Sequence, residues 1–128
     1  MKIKSCDLTG TALDWAVATA EQASIEIGLR KQVLFDTHED DPPAGVNEHD
    51  DTRWQVFNPS ENWAQAGPII ERETITIDWA HRMKWEARLY VPDQEPWVMT
   101  GPTPLVAALR CFVASKLGDE ADVPEELL

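Results

Sequence analysis

From Thr74 to Val91 the chain alternates with a period of two, and this pattern limits its fold more than any other stretch. Ile75, Ile77 and Trp79 fall on one side, with Thr74, Thr76 and Asp78 opposite. After Ala80–Met83, a turn of hairpin length, Trp85, Ala87, Leu89 and Val91 alternate with Glu86, Arg88 and Tyr90. Two antiparallel strands with one apolar and one polar face are the simplest structure that uses such a pattern. Pro92-Asp93 turns the chain, and Pro96-Trp-Val-Met99 supplies a third strand, with the proline first, where no ladder donor is needed. The apolar face of this meander has to be covered.

Helical stretches on either side supply the cover. Leu13, Ala16, Val17 and Ala20 form an i, i+3, i+4, i+7 stripe behind Thr9 or Thr11 as a cap. Pro59-Ser60 reads as the start of a second helix with Ser60 as its cap, and Trp63, Ala66 and Ile70 share one face of it. Gly67-Pro68 interrupts that helix with a kink or a short first turn. In Gly101-Pro-Thr-Pro104, Thr103 caps a third helix with Pro104 in its first position, and Leu105, Ala108, Leu109 and Phe112 form its buried stripe. Gly118 ends it behind Lys116. The prediction is an α+β fold in one domain, residues 1–128. Its meander (about 74–79, 84–91, 96–100) packs with three helices (about 9–22, 60–72, 103–117).

The front half gives fainter signals. Ile3–Leu8 reads as an edge strand or a lead-in, Ser24–Gly28 alternates like a strand, and Gln32–Phe35 suits a short strand. Residues 36–52 combine Pro42-Pro43 and Gly45 with seven acids and no Lys or Arg, the composition of a mobile loop. Residues 118–128 carry five more acids and no base, an acidic tail at 119–128. The formal net charge is −12, and these twelve acids account for all of it, because the other 11 acids balance 11 Lys and Arg. A neutral body with two acidic appendages lacks the basic stripe of a nucleic-acid binder, so no direct nucleic-acid binding is expected. It leaves room for a basic protein partner.

No familiar catalytic spacing is present: there is no Gly-rich phosphate loop, no G-x-S-x-G, no H-E-x-x-H and no C-x-x-C. Cys6 and Cys111 make no disulfide framework, and Cys111 in its apolar run reads as a buried thiol. His38-Glu-Asp-Asp41 and Glu48-His-Asp-Asp51 bracket the acidic loop. His38 and His49 are therefore the metal-ligand candidates, but a flexible loop is a poor cage, so no metal and no cofactor are assigned. His81 reads as an exposed turn residue. Of six tryptophans, Trp79, Trp85 and Trp97 fall in strands and are expected in the core, whereas Trp54 suits an exposed anchor. If the three helices meet at a pocket, Asp14, Asn62, Gln65, Glu71 and Arg110 are the polar side chains to line it. The start of the chain lacks a signal-peptide h-region and no apolar run is long enough to span a membrane, so a cytoplasmic protein is expected.

Three segments carry a family resemblance. Leu8-Thr-Gly-Thr-Ala-Leu-Asp-Trp-Ala-Val17, Asn58-Pro-Ser-Glu-Asn-Trp-Ala-Gln-Ala-Gly-Pro-Ile-Ile-Glu-Arg-Glu73 and Gly101–Glu120 resemble, in that order, the NinX family of phage proteins, and the closing Val123-Pro-Glu-Glu126 is similar too. A looser similarity, in the order of elements, is to small phage domains built as α-β-α sandwiches. Residues 22–53 fall outside the resemblance and look like an insertion. The resemblance implies a bacteriophage or prophage accessory protein acting in the host cytoplasm, and it brings no catalytic residue with it. The leading expectation is a non-enzymatic module binding a host or phage protein, in host defence or recombination. The alternative is a small-ligand or nucleotide module, binding or hydrolytic, with Trp54, Trp63, Glu71 and Arg110 as the candidate binding residues.

Overall fold

A computed structural model describes residues 1–28, 30–36, 54–80, 82 and 84–128. Its elements run β1 (Lys2–Lys4), α1 (Gly10–Ala20), β2 (Ile25–Ile27), β3 (Val33–Asp36), β4 (Trp54–Val56), α2 (Trp63–Arg72), β5 (Thr76–Trp79), β6 (Trp85–Leu89), β7 (Trp97–Gly101), α3 (Pro104–Leu117) and β8 (Glu120–Asp122). Helices and antiparallel sheets are segregated, and the fold is α+β. The expected meander is present as β5-β6-β7, with Ile77 opposite Ala87 and Ala87 opposite Met99 across its inner face.

That inner face is covered by α3, which lies chiefly on β6 and β7 and also packs on α1 and α2. Because it has neighbours on several sides, α3 is buried nearly all round: Leu105–Leu109 and Cys111–Ala114 are all inside. Its start is as read, with Thr103 Oγ accepting the Val106 N–H at 3.1 Å ahead of Pro104. Gly118 stops it with φ +90°, a backbone state that suits glycine.

Around this frame the structure departs from the sequence reading at several points. Helix α2 begins at Trp63 rather than near residue 60. Its cap is Asn62, whose Oδ1 accepts the Ala64 N–H at 2.9 Å. Ser60 is buried two residues upstream. Ala66 and Ile69 face inward, Ile70 is half-buried, and Trp63, in the first turn, is 56% exposed. Trp79 is also outside, at 58% exposed, because it ends β5, the edge strand least covered by α3. Trp85 and Trp97 are half-buried against the core.

Two further sheets join distant or weakly patterned segments. β2, β3 and β4 form an antiparallel sheet beside α1, with Val33 fully inside. Residues 25–36 therefore build on the body of the protein. β1 pairs with β8, which places part of the acidic stretch 119–128 in a sheet. Ala121, Val123 and Leu127 are buried, so this stretch is not a solvated tail. The expected mobile loop at 36–52 lies outside the described residues, except for Asp36 at the end of β3. His38, His49 and His81 lie outside them as well.

Candidate functional site

The polar residues read from the sequence divide into two groups. Asp14, Asn62 and Gln65 do come together, but around backbone. Gln65 Oε1 accepts the Asn58 N–H at 2.7 Å and Gln65 Nε2 donates to Val56 O at 2.8 Å. Asp14 Oδ1 accepts the Ser60 N–H at 2.9 Å, while Asn62 caps α2. The chain from Val56 to Ala64 has little regular structure, and these side chains satisfy its donors and acceptors in place of a ladder. These side chains are engaged in holding the fold.

Asp14 is the exceptional member of that group. It is 3% exposed, and burial pushes its carboxyl up from 3.8 to about 6, against the opposing pull of the Ser60 N–H. The Ser60 hydroxyl lies near the same carboxylate without forming a hydrogen bond of good geometry.

Trp54, Trp63, Glu71 and Arg110 do not form one site. Trp54 is half-buried at the start of β4, Trp63 and Glu71 are exposed on α2, and Arg110 is half-buried on α3. Of the four, Arg110 alone lines a cleft walled wholly by described residues. That cleft, of about 280 Å³, has Arg82, Lys84, Thr100, Gly101, Pro102 and Arg110 around it. The β5–β6 turn supplies Arg82 and Lys84, closed by the Ala80 N–H to Lys84 O bond at 2.9 Å. The end of β7 supplies Thr100 and Gly101. Gly101 must be glycine, because a Cβ there would lie 2.8 Å from the Ala107 backbone nitrogen where α3 crosses the strand.

Arg110 is fixed rather than free. Its Nε donates to Leu8 O at 2.8 Å and its Nη1 to Thr100 O at 2.7 Å, which ties α3 to the segment before α1 and to β7. Burial lowers its pKa, with Cys6 and Asp7 nearby acting the other way. Two of its five N–H donors are used by those carbonyls. Among the described residues, no carboxylate lies within ion-pair distance of Arg82, Lys84 or Arg110. In a chain of net charge −12, a concave site walled by three cations and no acid is an exception to the general field.

Trp79 and Trp85, which flank the β5–β6 turn, pack edge to face with ring centroids 5.1 Å apart, and Trp85 stands opposite Gly101 in the ladder. Arg82 and Lys84 escaped the sequence reading because they sit in a turn, where a lone base is ordinary. The available signal was three bases in or near a hairpin turn and a helix start in an acidic chain. Elsewhere, Cys111 is a buried thiol whose Sγ lies 3.1 Å from Ala87 O, and burial pushes its pKa up to about 12. Among the described residues, no group of three or more His, Cys, Asp or Glu is placed to hold a metal, and no helix is long and apolar enough to cross a membrane.

The sequence model described as Bacteriophage P22, NinX matches residues 4–116. The chain belongs to the NinX family. Membership places it among phage accessory proteins. The NinX match spans the cleft residues 82–110 and brackets 22–53, and it ends before Val123–Glu126, the closing piece that had looked similar. No curated protein matches the chain.

Proposed function

We propose that this NinX-family chain is a non-enzymatic accessory protein that binds a basic protein of the host or the phage. One observation carries the reading: the acids at the end of the chain are held on structure. Asp119, Glu120, Asp122, Glu125 and Glu126 are all exposed, while Ala121, Val123 and Leu127 between them are buried and anchor the stretch. The β1–β8 pairing holds Glu120 opposite Lys4 and Asp122 opposite Lys2, with Asp122 also accepting from the Met1 ammonium at 2.9 Å, so a partner is met chiefly by Asp119, Glu125 and Glu126. Carboxylates on an ordered edge lose less entropy on binding than those of a loose tail, and they steer a basic partner at low ionic strength. In this reading the partner belongs to host defence or recombination.

Capture from host lysate on the immobilised full chain, at low and moderate salt, tests it. A variant with Asp119, Asp122→Asn and Glu120, Glu125, Glu126→Gln should lose the captured protein while keeping its fold. No retained protein, or equal retention by that variant, counts against the reading.

A second reading, a small-ligand or nucleotide module, is favoured by the cationic cleft at Arg110. The cleft moves that reading away from Trp63 and Glu71 and onto Arg82 and Lys84.

A further inference from the structure

We infer that the cleft between the β5–β6 turn and the start of α3 takes the phosphoryl group of a nucleotide, with the indole of Trp79 outside it as a platform for the base. The inference deepens the small-ligand reading and is independent of the acidic edge.

Three features support it. The first is charge: Arg82, Lys84 and Arg110 line one concavity that has no acidic wall residue, and none of the three is paired with a carboxylate among the described residues. Three cations on one concave wall leave an anion several charges to meet, with Asp7 near Arg110 offsetting part of the field.

The second is preorganisation. Arg110 is held by Leu8 O and Thr100 O, so its unused N–H groups have a fixed direction before any ligand arrives. A guanidinium fixed in this way presents planar, paired donors suited to phosphate oxygens, and Lys84 adds a point charge. The helix end itself contributes little. Pro104 has no N–H, and the Val106 N–H is already taken by Thr103 Oγ. The side chains make the site.

The third is size and setting. About 280 Å³ is at the small end of ligand sites, enough for a phosphoryl group but not for a whole nucleotide. The rest of the ligand stays outside. Trp85 faces the cleft wall at Gly101 in the ladder, and Trp79, 58% exposed, is braced edge-on against it. An exposed indole held by a second ring offers a π-face to any base, which is the sequence-tolerant way of holding a nucleotide.

The test is titration of the full chain with ADP, AMP and inorganic phosphate separately, at low salt, by calorimetry and tryptophan fluorescence. ADP and AMP should bind, and should do so more tightly than phosphate alone. Their affinity should fall about tenfold or more in Arg82→Ala/Lys84→Ala, which alters only turn residues. Trp79→Ala should abolish most of the fluorescence change and bring nucleotide affinity down to that of phosphate. Nucleotide binding that survives Arg82→Ala/Lys84→Ala, or phosphate binding as tight as ADP, overturns this inference while leaving a ligand module standing. Absence of binding by any nucleotide overturns both.

Discussion

Asp14 Oδ1 accepts the backbone N–H of Ser60 at 2.9 Å and so fastens the first helix to the irregular chain before the second, 46 residues away. Its neighbour Ser60 Oγ is buried without a hydrogen-bond partner of its own among the described residues. Asp14→Asn keeps an oxygen for the Ser60 N–H and adds an N–H₂ donor for the hydroxyl, while removing a buried charge. Above pH 7 it should leave stability unchanged or raise it by about 1–3 kcal/mol. Asp14→Ala leaves the Ser60 N–H buried and unmet, and should be less stable than Asp14→Asn by about 1–3 kcal/mol. Urea denaturation of the three proteins measures both differences.

The same carboxyl gives the protein a pH signature of unusual sign. Burial pushes the Asp14 carboxyl to about 6 in the fold against 3.8 for an ordinary aspartate, so between those values the folded state holds a proton that the unfolded state has released. Stability from this group is full below the lower value and declines as pH rises to the upper one, by about 3 kcal/mol in all. Wild type should lose stability relative to Asp14→Asn as pH rises from about 4 to 6, whatever other carboxylates add to both. Parallel stability–pH curves for the two proteins would refute this.

Much of the back half was legible because its signals are local. The 74–91 alternation sets which residues face α3, and Thr103-Pro104 marks where α3 begins. The errors came where two local signals compete or none exists. Ser60 and Asn62 are both good caps, and the chain uses Asn62 as the cap while the Ser60 N–H meets Asp14. The β1–β8 pairing joins three-residue strands more than 110 residues apart. Strands that short carry no period, so Glu120 and Asp122 read as tail. At the candidate site, Arg110 was visible as a base within an apolar helix. Arg82 and Lys84 became partners to it only once the turn was placed over the start of α3.

Arg72 links the ends of all three helices. It bonds Glu21 beyond α1 and Glu73 beyond α2, Glu73 meets Lys116 of α3 at 3.6 Å, and the Arg72 guanidinium lies 5.6 Å from the Phe112 ring centroid. The ion pairs are largely exposed, so screening leaves them weak, and the ring contact carries much of the effect. Arg72→Ala should cost about 1 kcal/mol. Arg72→Lys should recover only part of it, since a lysine keeps the charge without the fork. The loss should shrink modestly in high salt; a loss that vanishes there would mean that the Phe112 contact contributes nothing.

Gly101 tests how tightly α3 sits on the sheet. A Cβ at this position would meet the Ala107 nitrogen at 2.8 Å and Val106 Cγ1 at 3.0 Å, and the first of these is backbone that has no rotamer to change. Gly101→Ala should destabilise the protein by about 1–3 kcal/mol through displacement of the helix start. The displacement should also move Arg110 relative to Lys84. Any nucleotide affinity measured for the cleft should therefore fall with it, even though no charged group has been touched.

Helix α2 provides the sharpest contrast between what hydrophobicity suggests and what burial shows. Trp63 is the larger and more apolar-looking residue, but it is 56% exposed in the first turn, whereas Ile69 is 4% exposed and packed in the core. Trp63→Ala should change stability by no more than about 0.5 kcal/mol, the usual range for a surface site. Ile69→Ala should cost about 2–5 kcal/mol, because it removes buried methylenes and leaves a void under the helix. If thermal or urea melts reverse that order, α2 is rotated with Trp63 inward, and the Asn62 cap on which the present register rests is not formed in solution.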